Sequence, residues 1–200
     1  MHSNSSTRHT NYSWFLAHPS DNSDPSAEAF RLTYKAYYKL GVEKKPREAI
    51  ALNITSLEIV SMAFVRDRDS VGEKKLSEED KDNIKNIEGK ASQGIAIAYT
   101  EIGSGASALE EREKSFHQAI EHYKRAQDIY EQRFGNENTE YIYVDLDLAT
   151  VESMTGELDK AQERLEKIIT FMKCKRKHQK HQSFALATFI WEKCTTNKLL

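Results

Sequence analysis

The sequence predicts an all-α fold made of three helical hairpins and a C-terminal capping helix. Three observations carry that expectation. Apolar residues recur at spacings of three and four along most of the chain, the period of a half-buried helix. The 200 residues include only three prolines and eight glycines, too few for the many turns of an all-β chain. Small residues also sit at matching points of two later helices: Ala119, Tyr123 and Ala126 recur 42 positions on as Ala161, Leu165 and Ile168.

Residues 1–23 are rich in Ser, Asn and His, with Arg8 and no acid before Asp21, and read as a disordered tail or a targeting segment. Residues 24–172 form the repeat domain, and 173–200 a basic linker with an apolar helix. Regular structure is expected to start at Asp24-Pro25. Aspartate can cap a helix, and proline suits its first position because the N–H it lacks would be unpaired there anyway. The first helix runs from Ser26 to about Leu40, and Gly41 suits the left-handed position that ends it. The second starts near Pro46, with Ile50, Ile54, Leu57, Ser61 and Phe64 as its expected inner face. Residues 66–82 carry charges of both signs and read as a solvated loop, with Ser77 and Asp80 at capping-box spacing. The third helix covers about Glu78 to Ile102, followed by Gly103-Ser104-Gly105 as a weakly structured hinge. The fourth covers about Ala108 to Arg133 and ends at Phe134-Gly135. After a turn over 136–139, the fifth runs to Met154. Gly156 marks the corner into the sixth, Leu158 to Met172. Phe184, Leu186, Phe189, Ile190 and Trp191 form a last apolar helix expected to cover the open end of the array.

The 42-residue spacing has a steric reason. A small residue near the middle of the first helix of a hairpin lets the second approach, and a small residue early in the second completes the contact. Ile95-Ala96, Tyr99 and Gly103 parallel Leu148-Ala149, Glu152 and Gly156, and Tyr37 with Gly41 echoes the end of that pattern. Each hairpin keeps an apolar face that only its neighbour can cover, so the hairpins must stack. The stretches Ala119–Gly135 (AIEHYKRAQDIYEQRFG), Asp147–Thr150 (DLAT) and Gly156–Ala161 (GELDKA) resemble the tetratricopeptide repeat, in the 42-residue variant of kinesin light chains. The resemblance covers about residues 26–172 and implies a right-handed α–α superhelix. Three places depart from the pattern: Glu152 replaces an aromatic or aliphatic residue, Asn53 replaces a large hydrophobe, and Ser104–Ser115 is an insertion. The order of elements, with Glu88–Gly94, Asp147–Thr150, Ala51–Glu58 and Met62-Ala63, is also similar to mitochondrial inner-membrane proteins of this class. Those include a respiratory complex III assembly factor and accessory subunits of the i-AAA protease. That narrower resemblance implies work in membrane-protein assembly or quality control. The kinesin-light-chain resemblance implies a cytosolic adaptor.

A stacked array lines a concave surface with the first helix of each hairpin, and partners bind there in the family. The register places Arg31, Lys35 and Tyr38 on that surface in hairpin one. Lys90, Gln93 and Thr100 follow in hairpin two, and Tyr143, Asp147 and Thr150 in hairpin three. The first trio is basic and aromatic, suited to an acidic or carboxylate-ended segment. The expected partner is a protein or peptide segment, and self-association remains open.

Other classes are disfavoured. With 29 basic and 31 acidic residues the formal charge is −2, unlike a dedicated nucleic-acid binder. No unbroken apolar run approaches the ~18 residues of a membrane span, so no transmembrane segment is expected. Cys174 and Cys194, the only cysteines, argue for an intracellular chain and against a secreted disulfide scaffold. No phosphate-binding glycine loop or nucleophile elbow occurs, and neither a catalytic residue nor a cofactor is expected. A metal-dependent hydrolase is the rival from another class. His117 and His122, five apart, sit about 140° apart around a helix and cannot share an ion. Cys174, His178 and His181 fall on one helical face, but Lys173, Lys175, Arg176, Lys177 and Lys180 around them would repel a cation.

Overall fold

The structure, a computed structural model, describes residues 25–69, 75–175, 187–192 and 194. The 1–23 tail, the Asp24 cap, Arg176 to Lys180 with His178 and His181, and Phe184 and Leu186 lie outside the described residues. The described residues are helical apart from short connections, with no strand among them. The helices are α1 (Pro25–Gly41), α2 (Pro46–Asp69), α3 (Glu78–Gly105), α4 (Leu109–Phe134), α5 (Thr139–Met154) and α6 (Leu158–Lys175). Residues 187–192 are also helical. The chain divides into two units between Ala98 and Tyr99, inside α3.

In the first unit α1 packs on α2 through a narrow seam. The buried positions of α1 are Ala29, Leu32, Thr33, Ala36 and Leu40, and those of α2 are Ala49, Asn53, Ser56 and Val60. The seam is small and partly polar. Ser56 Oγ lies 2.8 Å from the Ala29 carbonyl oxygen and 2.9 Å from Thr33 Oγ1, so both hydroxyls are satisfied without water. One cluster joins Ala29 and Val60 to Ile84 and Ile87 of α3; a second joins Ala36, Leu40 and Ala49 to Ala98.

This seam corrects the inner face expected for α2. The buried line lies one position before the expected Ile50/Ile54/Leu57/Ser61/Phe64 line, leaving Ile54 44% exposed. Close approach selects the small residues: Thr33 Oγ1 bonds the Ala29 carbonyl oxygen of its own helix at 3.0 Å, and the narrow seam lets Ser56 reach both of them. Asn53, in the place of a large hydrophobe, is almost fully buried against Gly94, where an added Cβ would stand 2.6 Å from Asn53 Nδ2. Its Oδ1 has no hydrogen-bond partner, a state that costs roughly 1–3 kcal/mol. The membrane expectation also changes. By length and composition α2 is apolar enough to cross a membrane, because Asn53, Thr55, Ser56 and Glu58 interrupt its apolar runs without making the helix polar on average. Only 28% of that window is buried.

The connections are set by local chemistry. The α1–α2 turn takes its left-handed residue at Lys44 (φ 56°), while Gly41 remains helical. A lysine side chain strains that conformation where glycine would not. Lys44→Gly is therefore expected to stabilise the chain by about 0.5–1 kcal/mol, read as a higher Tm; an unchanged or lower Tm would contradict the strain. The charged 66–82 segment is less loop than expected, since α2 extends to Asp69 and α3 begins at Glu78. The Asp67 carboxylate accepts the Leu76 N–H at 2.5 Å. The capping box forms as anticipated: Ser77 Oγ accepts the Asp80 N–H at 3.1 Å and Asp80 Oδ2 accepts the Ser77 N–H at 3.1 Å.

In the second unit α4 packs on α5 and α5 on α6. The Gly103-Ser104-Gly105 hinge is not formed, because α3 continues through it. Gly103 is instead a contact point, where an added Cβ would lie 2.8 Å from the Phe116 ring. The insertion over Ser104–Ser115 shrinks to a connection over 106–108, since α4 starts at Leu109. Asn138 caps α5 by accepting the Glu140 N–H at 2.7 Å, and Gly135 (φ 76°) and Gly156 (φ 83°) supply the two left-handed corners. The described part of the C-terminal helix packs on this unit through Ile190 and Trp191, but Phe189, expected on the same covering face, is 55% exposed. Ala187, Ile190 and Cys194 are buried in one cluster with Ile142, Leu146, Ala149, Ala161, Leu165 and Ile168, and Trp191 packs against it.

Candidate functional site

α1 presents Arg31, Lys35 and Tyr38 at spacings of four and three, all half-buried beside its packed face. The Arg31 guanidinium is already held by Glu28, with Nε to Oε2 at 2.7 Å and Nη2 to Oε1 at 2.5 Å. That hydrogen bonding draws the Glu28 carboxyl below its ordinary range and raises Arg31. The trio is thus less basic than its sequence suggests. Lys90 and Gln93 are half-buried on α3, and the Lys90 carbonyl oxygen accepts the Tyr37 hydroxyl at 3.0 Å.

In the second unit α5 is enclosed by α4, α6 and the C-terminal helix. Ile142, Val144, Asp145, Leu146, Leu148, Ala149, Val151 and Glu152 are all buried. Among the residues that are not buried, Tyr143, Asp147, Thr150 and Met154 form a strip at spacings of four, three and four. Tyr143 is 43% and Met154 52% exposed, while Asp147 and Thr150 are half-buried. Thr150 Oγ1 donates back to the Leu146 carbonyl oxygen at 2.9 Å. Thr100, at the end of α3, joins this neighbourhood through the buried Tyr123 of α4. Burial first, and the Asp147 charge second, push the Tyr123 phenol well above its ordinary value, and Thr100 hydrogen-bonds it. The structure therefore brings Thr100 and Asp147 around one buried hydroxyl and sets Tyr143 and Thr150 on either side of Asp147.

The residues that recur at 42 are the ones that close these helix pairs. Ala119, Ala126, Ala161 and Leu165 have no exposed surface, and Tyr123 and Ile168 are nearly as buried. Residues 90–173 match the family model described as Tetratricopeptide repeat. No curated protein matches the chain. The tetratricopeptide match spans the later part of α3, α4, α5 and nearly all of α6, and hairpin one lies outside it.

Within the matched repeats, the departure at Glu152 belongs to a buried polar network that the sequence did not disclose. Arg164 of α6 reaches Glu152 with two hydrogen bonds, Nε to Oε2 and Nη2 to Oε1, both 3.1 Å. A third, from Nη1, goes to Asp145 Oδ1. Gln127 of α4 donates to the same Asp145 oxygen at 2.8 Å. One guanidinium thus ties α6 to two points of α5, and Gln127 ties α4 to one of them. Burial raises the Asp145 carboxyl above its ordinary value, although Arg164 and Gln127 oppose the rise. For Arg164 burial works against the charge, but the bonds to Glu152 and Asp145 outweigh it and hold the group above its usual value. Tyr141 beside them is also raised, by burial and then by Asp145. The one signal available in the sequence was a glutamate at a core position.

The histidines weighed for a metal part company. His117 is exposed and pairs with Glu121 at 3.4 Å. His122 is half-buried and stacks on Tyr99 with ring centroids 6.1 Å apart. Burial, and then Arg125, lower the His122 pKa. No group of three metal-ligating side chains occurs among the described residues, and Cys174 with its histidines falls outside the side chains described.

Proposed function

We propose that this chain is a non-enzymatic adaptor that holds a protein or peptide segment against the open strips of its first-of-hairpin helices. The observation that carries the reading is α5, half of whose residues are buried while Tyr143, Asp147, Thr150 and Met154 line one strip, Tyr143 and Met154 being exposed. A helix fixed that firmly offers a pre-ordered surface, so binding costs the receptor little conformational entropy. The tetratricopeptide match over residues 90–173 supports the same reading, since such repeats serve protein–protein interaction. The corresponding surface of the first unit is Arg31, Lys35, Tyr38, Lys90 and Gln93. Affinity capture from cells should lose specific partners with Tyr143→Ala/Thr150→Arg, with Arg31→Glu/Lys35→Glu, or with both. Survival of every partner in both variants would overturn the assignment.

The finer reading is work at the mitochondrial inner membrane, in the assembly or quality control of respiratory-chain proteins. It is supported by the segments Ala51–Glu58, Glu88–Gly94 and Asp147–Thr150. A cytosolic adaptor of kinesin-light-chain type is the alternative, favoured by the 42-residue spacing. Protease-protected import of the chain into isolated mitochondria separates the two, and a diffuse cytosolic distribution would remove the first.

A further inference from the structure

The uncovered residues of α2 are not scattered. Ala51, Ile54, Glu58, Ser61 and Val65 are all exposed and follow one another at spacings of three, four, three and four, the seam spacing of a coiled coil. Met62, four residues after Glu58, adjoins the seam; it is 60% exposed, and Ile54 and Val65 are 44% each. From Ala51 to Val65 the seam runs about 21 Å at 1.5 Å per residue. Thr55, at its edge, already gives its hydroxyl to the Ala51 carbonyl oxygen at 3.1 Å, so covering it strands no donor. Glu58 stands at the middle and is the only charged residue between Glu48 and Arg66. Its carboxylate has no hydrogen bond or ion pair among the described residues. The nearest cations on α2, Arg66 and Arg47, are about 12 and 16 Å away along the axis. Those of the helices packed against α2 are Arg31, Lys35 and Lys39 on α1 and Lys81, Lys85 and Lys90 on α3. Both helices meet α2 through Ala49, Asn53, Ser56 and Val60, which lie about 140–180° around it from Glu58.

We infer that this outward face of α2 docks an amphipathic helix of a different protein, with one lysine or arginine opposite Glu58 and apolar side chains against Ile54, Met62 and Val65. The small side chains of Ala51 and Ser61 admit a neighbouring helix at close range. Met62 suits apolar partners of several shapes, since methionine is unbranched and adaptable. One ionised residue in an otherwise uncharged seam fixes the register of the pair. The same carboxylate argues against two other occupants. A second copy of this chain, paired through the seam in register, would set Glu58 against its own counterpart whether the helices ran parallel or antiparallel, and like charges face to face are unfavourable. A lipid surface would bury that carboxylate among acyl chains with no cation to meet it, which is costly. The face shares no residue with the strips that carry the adaptor reading, so each stands or falls without the other.

The test uses the full chain and a fluorescein-labelled helical peptide of three heptads, with leucine at the seam positions and one central lysine. The same peptide with glutamate at that position is its counterpart, and binding is followed by fluorescence anisotropy. The lysine peptide is expected to bind about tenfold or more tightly than the glutamate peptide. Glu58→Lys should reverse that preference, a result that simple adhesion to an apolar face would not give. Ile54→Arg should weaken binding of the lysine peptide about tenfold or more. Glu113→Lys, the same charge change at an exposed site on α4, should leave it within about twofold. Circular dichroism melts confirm that each variant is folded. Failure of the lysine peptide to bind, or equal binding of the two peptides, would overturn the inference. Co-sedimentation with phosphatidylcholine–phosphatidylserine vesicles and sedimentation velocity of the chain alone address the other occupants. Vesicle binding that Ile54→Arg abolishes would assign the face to a lipid surface, and a dimer that Ile54→Arg dissociates would assign it to a second copy. Either result would overturn the inference; the expected result is that Ile54→Arg changes neither measurement.

Discussion

Arg164→Met is expected to destabilise the folded chain by about 3–5 kcal/mol at neutral pH, because it strands two buried carboxylates in one step. Asp145 and Glu152 are 6% and 3% exposed, and both hydrogen-bond the same guanidinium. A loss of that size lowers Tm by roughly 6–20 °C in a chain of this length. The pH dependence identifies the cause. Burial already lifts the Asp145 carboxyl above its ordinary value with Arg164 present. Without the guanidinium, which lowers it, the Asp145 carboxyl rises further. Between its ordinary and raised values the folded chain then binds more protons at Asp145 than the unfolded chain, so stability increases as pH falls. Urea denaturation at pH 7, 6 and 5 should therefore show the deficit of Arg164→Met against the natural chain shrinking towards pH 5. A deficit that stayed constant would mean that the carboxylates are not the source. Replacing all three groups by Asp145→Leu/Glu152→Leu/Arg164→Met should recover most of the loss, since a well-packed apolar set can match a buried ion triad.

That network also marks the limit of what the sequence discloses. The 42-residue recurrence of Ala119 and Ala161 is legible because close helix approach is a local steric demand that only small residues meet. The same holds for the Ser77/Asp80 box, whose two partners are three residues apart. The pairing of Arg164 with Glu152 and Asp145 is different, because it depends on where α6 lies across α5, and no periodic pattern encodes that distance. Periodicity misplaced the face of α2 for a related reason. It marks where apolar side chains lie, whereas the seam with α1 selects small residues and satisfied hydroxyls. On α5, spacing alone placed Tyr143, Asp147 and Thr150 on one strip, because the helical period is local information. The same rule placed Arg31 but could not show that Glu28, one turn earlier, already holds it.

Two glycines that look alike in sequence should respond in opposite ways. As parts of a loose hinge, Gly103 and Gly105 would each accept alanine with the same small gain, since alanine restricts the unfolded chain. The structure distinguishes them. At Gly105 an added Cβ meets nothing within 4 Å, so Gly105→Ala should stabilise by about 0.4–1 kcal/mol. At Gly103 the same atom would stand 2.8 and 2.9 Å from two carbons of the Phe116 ring and 3.3 Å from the Arg112 carbonyl oxygen. Phe116 is 5% exposed and has little room to retreat. Overpacking of that kind costs about 1–3 kcal/mol, more than the ~1 kcal/mol that alanine gains over glycine within a helix. Gly103→Ala should therefore lower Tm while Gly105→Ala raises it. A double-mutant cycle with Phe116→Leu tests the contact directly. If the ring is the obstacle, Gly103→Ala should cost measurably less in the Phe116→Leu background, giving a coupling of about 0.5 kcal/mol or more. Additive effects would place the cost elsewhere, and equal gains at both glycines would restore the hinge.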